Sequence, residues 1–115
     1  MIETKVNNSQ LVLGEIQDER NRQIEKWGIQ NHKSVEDFTT DVVRLCEEYE
    51  IPTENRAKFM CEKSFSDENP TWTHIAIEEL SEVVCAKNDY DRRQELIQLA
   101  AVCLSWIECI DRNNQ

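Results

Sequence analysis

The sequence predicts an all-α fold, a helical bundle of about five helices forming one domain over residues 1–115. Three observations predict it. Gly and Pro occur only twice each in 115 residues, whereas sandwiches and barrels need frequent turn residues. Apolar residues recur every three or four positions through most of the chain, which is the helical period. Leu, Ile, Glu, Gln and Arg are common, and these side chains lose little rotamer freedom in a helix.

A first helix is expected over residues 9–27, where Leu13, Ile16, Arg20, Gln23, Ile24 and Trp27 fall on helical spacing. Ser9 reads as its N-cap and Gly28 as its C-cap, and residues 29–33 read as a loop. A second helix is expected over 34–50, with Val35, Phe38, Val42, Leu45 and Tyr49 on one stripe. Ile51-Pro52-Thr53 ends it, because Pro disfavours helix in the residue before it. A short third helix is expected over 54–63, then a polar loop over 66–70. Thr71 can cap a fourth helix over residues 72–87. Asn88-Asp89 turns the chain, and a last helix covers 91–111, with Leu96, Leu99, Ala100, Cys103, Ile107 and Ile110 as its core stripe. So short a connection makes the last two helices antiparallel neighbours.

Composition narrows the function. Hydrophobic residues are 39% and charged residues 31%, enough for one modest core under a heavily charged surface. The net charge of −10 repels a phosphate backbone, so general nucleic-acid binding is not expected. A nucleotide is still compatible, because a bound divalent cation reverses the local sign. No apolar run reaches the ~20 residues of a membrane span, and no apolar signal region follows the N-terminus, so a cytoplasmic location is expected. The five cysteines, Cys46, Cys61, Cys85, Cys103 and Cys109, form no C-x-x-C pair and no zinc spacing. They read as reduced thiols, mostly small core residues.

The run IEELSE carries Glu78, Glu79 and Glu82, and the run ELIQ carries Glu95 and Gln98. Residues three apart on a helix share a face. Glu79 therefore pairs with Glu82, and Glu95 with Gln98, and an antiparallel hairpin points both pairs into one cleft. Ile75, Leu80 and Val83 flank the first pair; Leu96, Leu99 and Val102 flank the second. Carboxylates held against apolar stripes repel one another, and Mg²⁺ or Mn²⁺ relieves that repulsion with hard oxygen ligands. The same spacing also fits a solvated acidic face balanced by Lys87, Arg92 and Arg93.

From Trp72 to Arg112 the sequence resembles the core of MazG-like nucleoside triphosphate pyrophosphohydrolases, an all-α superfamily marked by E-x-x-E on one helix and E-x-x-D on the next. Here the motifs are Glu79-x-x-Glu82 and Glu95-x-x-Gln98, with Gln in place of the final Asp. The run DERNRQIEKWGIQNH, residues 18–32, resembles the N-terminal segment of small phage and bacterial MazG-like proteins. Residues 33–71 carry no such motif.

The resemblance implies a Mg²⁺-dependent (or Mn²⁺-dependent) enzyme that cleaves a nucleoside triphosphate, or a related nucleotide, to a monophosphate and pyrophosphate. Glu79, Glu82, Glu95 and Gln98 would hold the metal, and Glu78 would help orient the attacking water or hold a second ion. Gln98 keeps a ligand oxygen but lowers the negative charge of the site.

The base and phosphates need other residues. Trp27 can stack on a base, Gln30, Asn31 and His32 can read base edges, and Arg22 and Lys26 can meet phosphate oxygens. Each also fits an ordinary role: Trp27 as a core aromatic, Arg22 and Lys26 paired with Asp18 and Glu19, His32 as an exposed or capping residue. Trp72, His74 and Trp106 are further stacking candidates, with Trp106 suited to packing. Two other functions suit the same fold: a nucleotide-binding module without turnover, and an acidic protein-interaction domain. Cys103, Leu104, Trp106, Ile107, Cys109 and Ile110 place apolar groups nearly all round the last helix. That pattern predicts burial in a homodimer or higher homo-oligomer, which the resemblance also implies.

Overall fold

The computed structural model describes residues 2–36 and 41–114, with side chains from residue 8 onward. The chain is all-α, and no strand occurs among the described residues. The helices are α1 (Ile2–Trp27), α2 (Val42–Glu48), α3 (Glu54–Ser66), α4 (Trp72–Cys85) and α5 (Asp89–Asn113). Two compact units emerge, one of Met1–His32 with Cys103–Gln115 and the other of Lys33–Val102. Helix α5 contributes residues to both.

In the first unit, α1 begins seven residues earlier than the sequence suggests. No Gly or Pro interrupts residues 2–8, so nothing halts the helix there. Ser9 is consequently not an N-cap. It sits inside the helix, and its hydroxyl donates to the Glu108 carboxylate at 3.3 Å from each oxygen. Gly28 does terminate α1. It adopts φ 71°, and its N–H donates to Ile24 O at 2.7 Å, the left-handed ending that Gly takes without strain.

In the second unit, α2 is much shorter than expected. Asp41 starts it by accepting from the N–H groups of Val43 and Arg44 at 3.0 and 3.3 Å. A short acidic side chain there satisfies two of the donors that a helix start leaves open. Val35 lies in a bend ahead of the helix, and Phe38, expected on the same stripe, lies outside the described residues. Tyr49 ends the helix, and its hydroxyl accepts from the Glu36 N–H at 2.8 Å.

Helices α2 and α3 end alike. Glu50 has φ 55° and Glu68 φ 56°. After α2, Ile51 N–H donates to Cys46 O and Glu50 N–H to Glu47 O. After α3, Asn69 N–H donates to Ser64 O and Glu68 N–H to Phe65 O. Both are Schellman endings with Glu where Gly is usual, so each holds a left-handed residue at some cost in strain. Helix α3 runs on past residue 63 to this ending. Thr53 and Thr71 cap α3 and α4, accepting from the N–H groups of Arg56 and His74 at 3.2 and 3.1 Å.

Helices α2 and α3 both pack on α4. The buried positions are Leu45 and Cys46 on α2, Ala57, Cys61 and Ser64 on α3, and Ser81, Val83 and Cys85 on α4. Most of these side chains are small, which allows backbones to approach closely. Their hydroxyls are satisfied: Ser64 Oγ donates to Cys61 O at 2.6 Å and Ser81 Oγ to Pro52 O at 3.1 Å.

The stripe expected to be buried along α5 is not. Leu96 is 47% exposed and Ile110 48%, Ala100 and Cys103 are also exposed, and Leu99 and Ile107 are half-buried.

Candidate metal centre

Helix α4 ends at Cys85, two residues short of the expected boundary, and the chain turns at Ala86. Asn88 then starts α5, its carbonyl side chain accepting from the Asp91 N–H at 2.8 Å. Arg92, one turn into α5, fixes the two helices together. It is buried. Its Nε donates to Val83 O at 3.0 Å, Nη2 to Ala86 O at 2.9 Å and Nη1 to Asp89 Oδ1 at 2.6 Å. The guanidinium thus satisfies Ala86 O, adds a second donor to Val83 O, which also accepts from the Ala86 N–H at 3.4 Å, and places its charge at the negative end of the helix dipole. Asp89 also accepts from Ser34 Oγ at 3.2 Å.

One turn beyond Arg92, Glu95 faces back toward α4. Glu79, Glu82 and Glu95 are each half-buried, and one oxygen from each lies within 4.8 Å of the others. Glu79 Oε2 and Glu95 Oε2 are buried and have no hydrogen-bond partner. A buried acceptor without a donor is costly, and three converging carboxylates add mutual repulsion. The protonation of Glu79 and Glu82 responds accordingly. Burial, then a hydrogen bond with Glu95 and the neighbouring charges, raises Glu82 to about 7. Glu79 is also raised, chiefly by burial, against a hydrogen bond with Glu82 that lowers it and with the charges of Glu95 and Glu78 adding to the rise. Three hard oxygen donors this close, two of them on residues with a buried oxygen that has no hydrogen-bond partner, match what a divalent cation requires.

Beside this trio lies a cleft of about 390 Å³ lined by Glu54, Glu82, Cys85, Ala86, Lys87, Asp91 and Glu95. Glu54 and Asp91 escape sequence reasoning because an acid in the first turn of a helix already has a use there. The other expected residues distribute as follows. Gln98 is exposed and does not line the cleft. Glu78 is half-buried and accepts a hydrogen bond from Cys61, whose thiol is raised to about 11 by burial first and by Glu78 second.

The expected substrate contacts belong to the other unit. Arg22 Nε meets Glu19 Oε2 at 3.2 Å, and Lys26 Nζ sits 4.9 Å from the centre of the Trp27 ring. Trp27, Gln30 and His32 are exposed. No family model matches the chain, and neither does any curated protein or solved structure. No helix among the described residues is long and apolar enough to cross a membrane.

Proposed function

We propose that Glu79, Glu82 and Glu95 bind Mg²⁺ or Mn²⁺, and that the protein hydrolyses a nucleoside triphosphate or a related nucleotide to a monophosphate and pyrophosphate. The supporting observation is the convergence of three half-buried carboxylates from α4 and α5, two of whose buried oxygens have no partner. The nucleotide is supported by the resemblance of residues 18–32 and 72–112 to MazG-like enzymes. A bound divalent ion would neutralise phosphate charge and lower the pKa of a water. The chain's own part is to hold three oxygens at fixed separation, to release the proton from Glu82 when a cation arrives, and to present Lys87 to phosphate oxygens at the cleft wall. Glu78 is engaged by Cys61 and would swing from it to orient a water.

Release of pyrophosphate from a panel of nucleoside triphosphates tests this, with Mg²⁺ or Mn²⁺ present. Glu82→Gln is expected to lower turnover roughly 100-fold or more. A panel without turnover, but with nucleotide binding retained, would favour a binding module instead. The neutral, exposed Gln98 supports that second reading.

The reading includes self-association. Phe59, Phe65, Ile77, Leu80, Leu96 and Ile97 are exposed in the second unit, and covering them against a second copy would remove them from water. Sedimentation at micromolar concentration is expected to give a dimer or larger species; a monomer alone would end this part of the proposal.

A further inference from the structure

Cys46 on α2 and Cys85 on α4 are both buried, and their sulfurs lie 3.4 Å apart. The two residues are 39 positions apart in sequence, so the contact is made by the packing of α2 on α4 and not by chain proximity. Cys85 also receives the backbone N–H of Glu54 from the first turn of α3. It lines both the acidic cleft and a second cleft of about 270 Å³ that includes Val42, Val43 and Thr53. Cys46, 1% exposed, lies behind it. One thiol is therefore reachable by a small molecule, and its partner is already in contact.

We propose that Cys46 and Cys85 are a modification site, a dithiol that a hydroperoxide converts to a disulfide linking α2 to α4. Cys85 sulfur attacks the peroxide: an S–O bond forms, the O–O bond breaks, and water or an alcohol leaves, giving a sulfenic acid. Cys46 sulfur then attacks Cys85 sulfur. The S–S bond forms, the S–O bond breaks, and the departing oxygen takes the Cys46 proton and leaves as water. The two thiols supply two electrons, and the peroxide accepts them.

Burial first, then Cys46 and the Glu54 carboxylate, hold the Cys85 thiol up at about 12, and the Glu54 N–H offsets only part of this. The thiolate is the nucleophile, so the reaction is slow at neutral pH and needs excess oxidant. The bond would close a long loop, which restricts the unfolded chain and stabilises the fold. Cys61 bonds instead to Glu78, and burial and that bond hold its thiol up at about 11.

The test uses the whole protein treated with hydrogen peroxide, then denatured and alkylated. In a variant carrying Cys103→Ser and Cys109→Ser, which removes the two less buried thiols, alkylatable thiols are expected to fall from three to one, with the intact mass reduced by two hydrogens. Peptide mapping is expected to join Cys46 to Cys85, and the melting midpoint to rise by several degrees and return on reduction. In Cys46→Ser the linked peptide and the rise are both lost. Mapping on the unaltered protein decides the matter even if that variant folds poorly. Alkylatable Cys46 and Cys85 after Cys103 and Cys109 have been oxidised would overturn the proposal, as would a Cys85 sulfinic acid with Cys46 still free.

Discussion

Millimolar Mg²⁺ or Mn²⁺ is expected to raise the melting midpoint by roughly 10 °C at pH 8, and by much less at pH 5. A ligand that binds only the folded chain, present at 100 times its Kd, adds about 2.7 kcal/mol. In a chain of about this size that corresponds to several degrees per kcal/mol. The pH dependence follows from Glu82, raised from 4.5 to about 7 in the folded protein. Between those values the folded chain binds more protons than the unfolded chain. Without metal, stability is therefore highest below about pH 4.5 as far as this group is concerned, and is lost as pH rises through 7. Glu79 acts in the same direction. A cation replaces those protons, so its benefit grows across the same window. Glu82→Gln separates the two effects. Without metal at pH 8 it is expected to melt higher than the wild type, because one buried charge is gone; with metal it is expected to gain little. Thermal melts of both proteins at pH 5 and pH 8, with and without metal, provide the check. Equal midpoints for the wild type at pH 8 would leave the trio an acidic surface.

How the trio could be read in advance, while its surroundings could not, is a matter of distance along the chain. Glu79 and Glu82 share a helical face by spacing alone, and a connection of a few residues brings Glu95 opposite them. Gln98 satisfies the same spacing yet is exposed, because spacing fixes the face of a helix and not how far its next turn is covered. Glu54 reaches the cleft from α3 through tertiary packing, for which residues 33–71 give no local signal. The caps divide along the same line. Gly28 and Thr71 act within one turn of their own positions and were legible. Ser9 failed because capping needs the helix to stop, and nothing upstream stops it. The core misleads for another reason. Large apolar residues on α5 form a regular stripe, but periodicity does not say what covers it, and the positions buried in the second unit are small ones such as Ala57, Cys61, Ser64 and Ser81.

Arg92→Ala is expected to cost about 3 kcal/mol of unfolding free energy, because it removes a buried charged side chain. In sequence Arg92 reads like Arg93, a charge that solvates an acidic face. In the fold it is buried, and its fork reaches two carbonyls and one carboxylate. Removal leaves Ala86 O without that donor, at about 1–3 kcal/mol where water cannot replace it, and leaves Val83 O with only the 3.4 Å bond from the Ala86 N–H. The ion pair itself matters less, because the Asp89 side chain is 83% exposed and exposed pairs contribute at most about 1 kcal/mol. Asp89→Ala is therefore expected to cost far less than Arg92→Ala. Arg92→Lys is expected to recover only part of the loss, since an ammonium lacks the planar fork that spans both carbonyls. Because Glu95 lies one turn further along α5, Arg92→Ala is also expected to weaken metal binding, while Arg93→Ala leaves it unchanged. Urea denaturation of the four variants, with calorimetric metal titrations on those that remain folded, measures both effects. Equal losses from Asp89→Ala and Arg92→Ala would mean that the ion pair joins the helices. The expected inequality means that α4 is held to α5, and the carboxylates are held opposite one another, by a side chain hydrogen-bonded to the end of a helix.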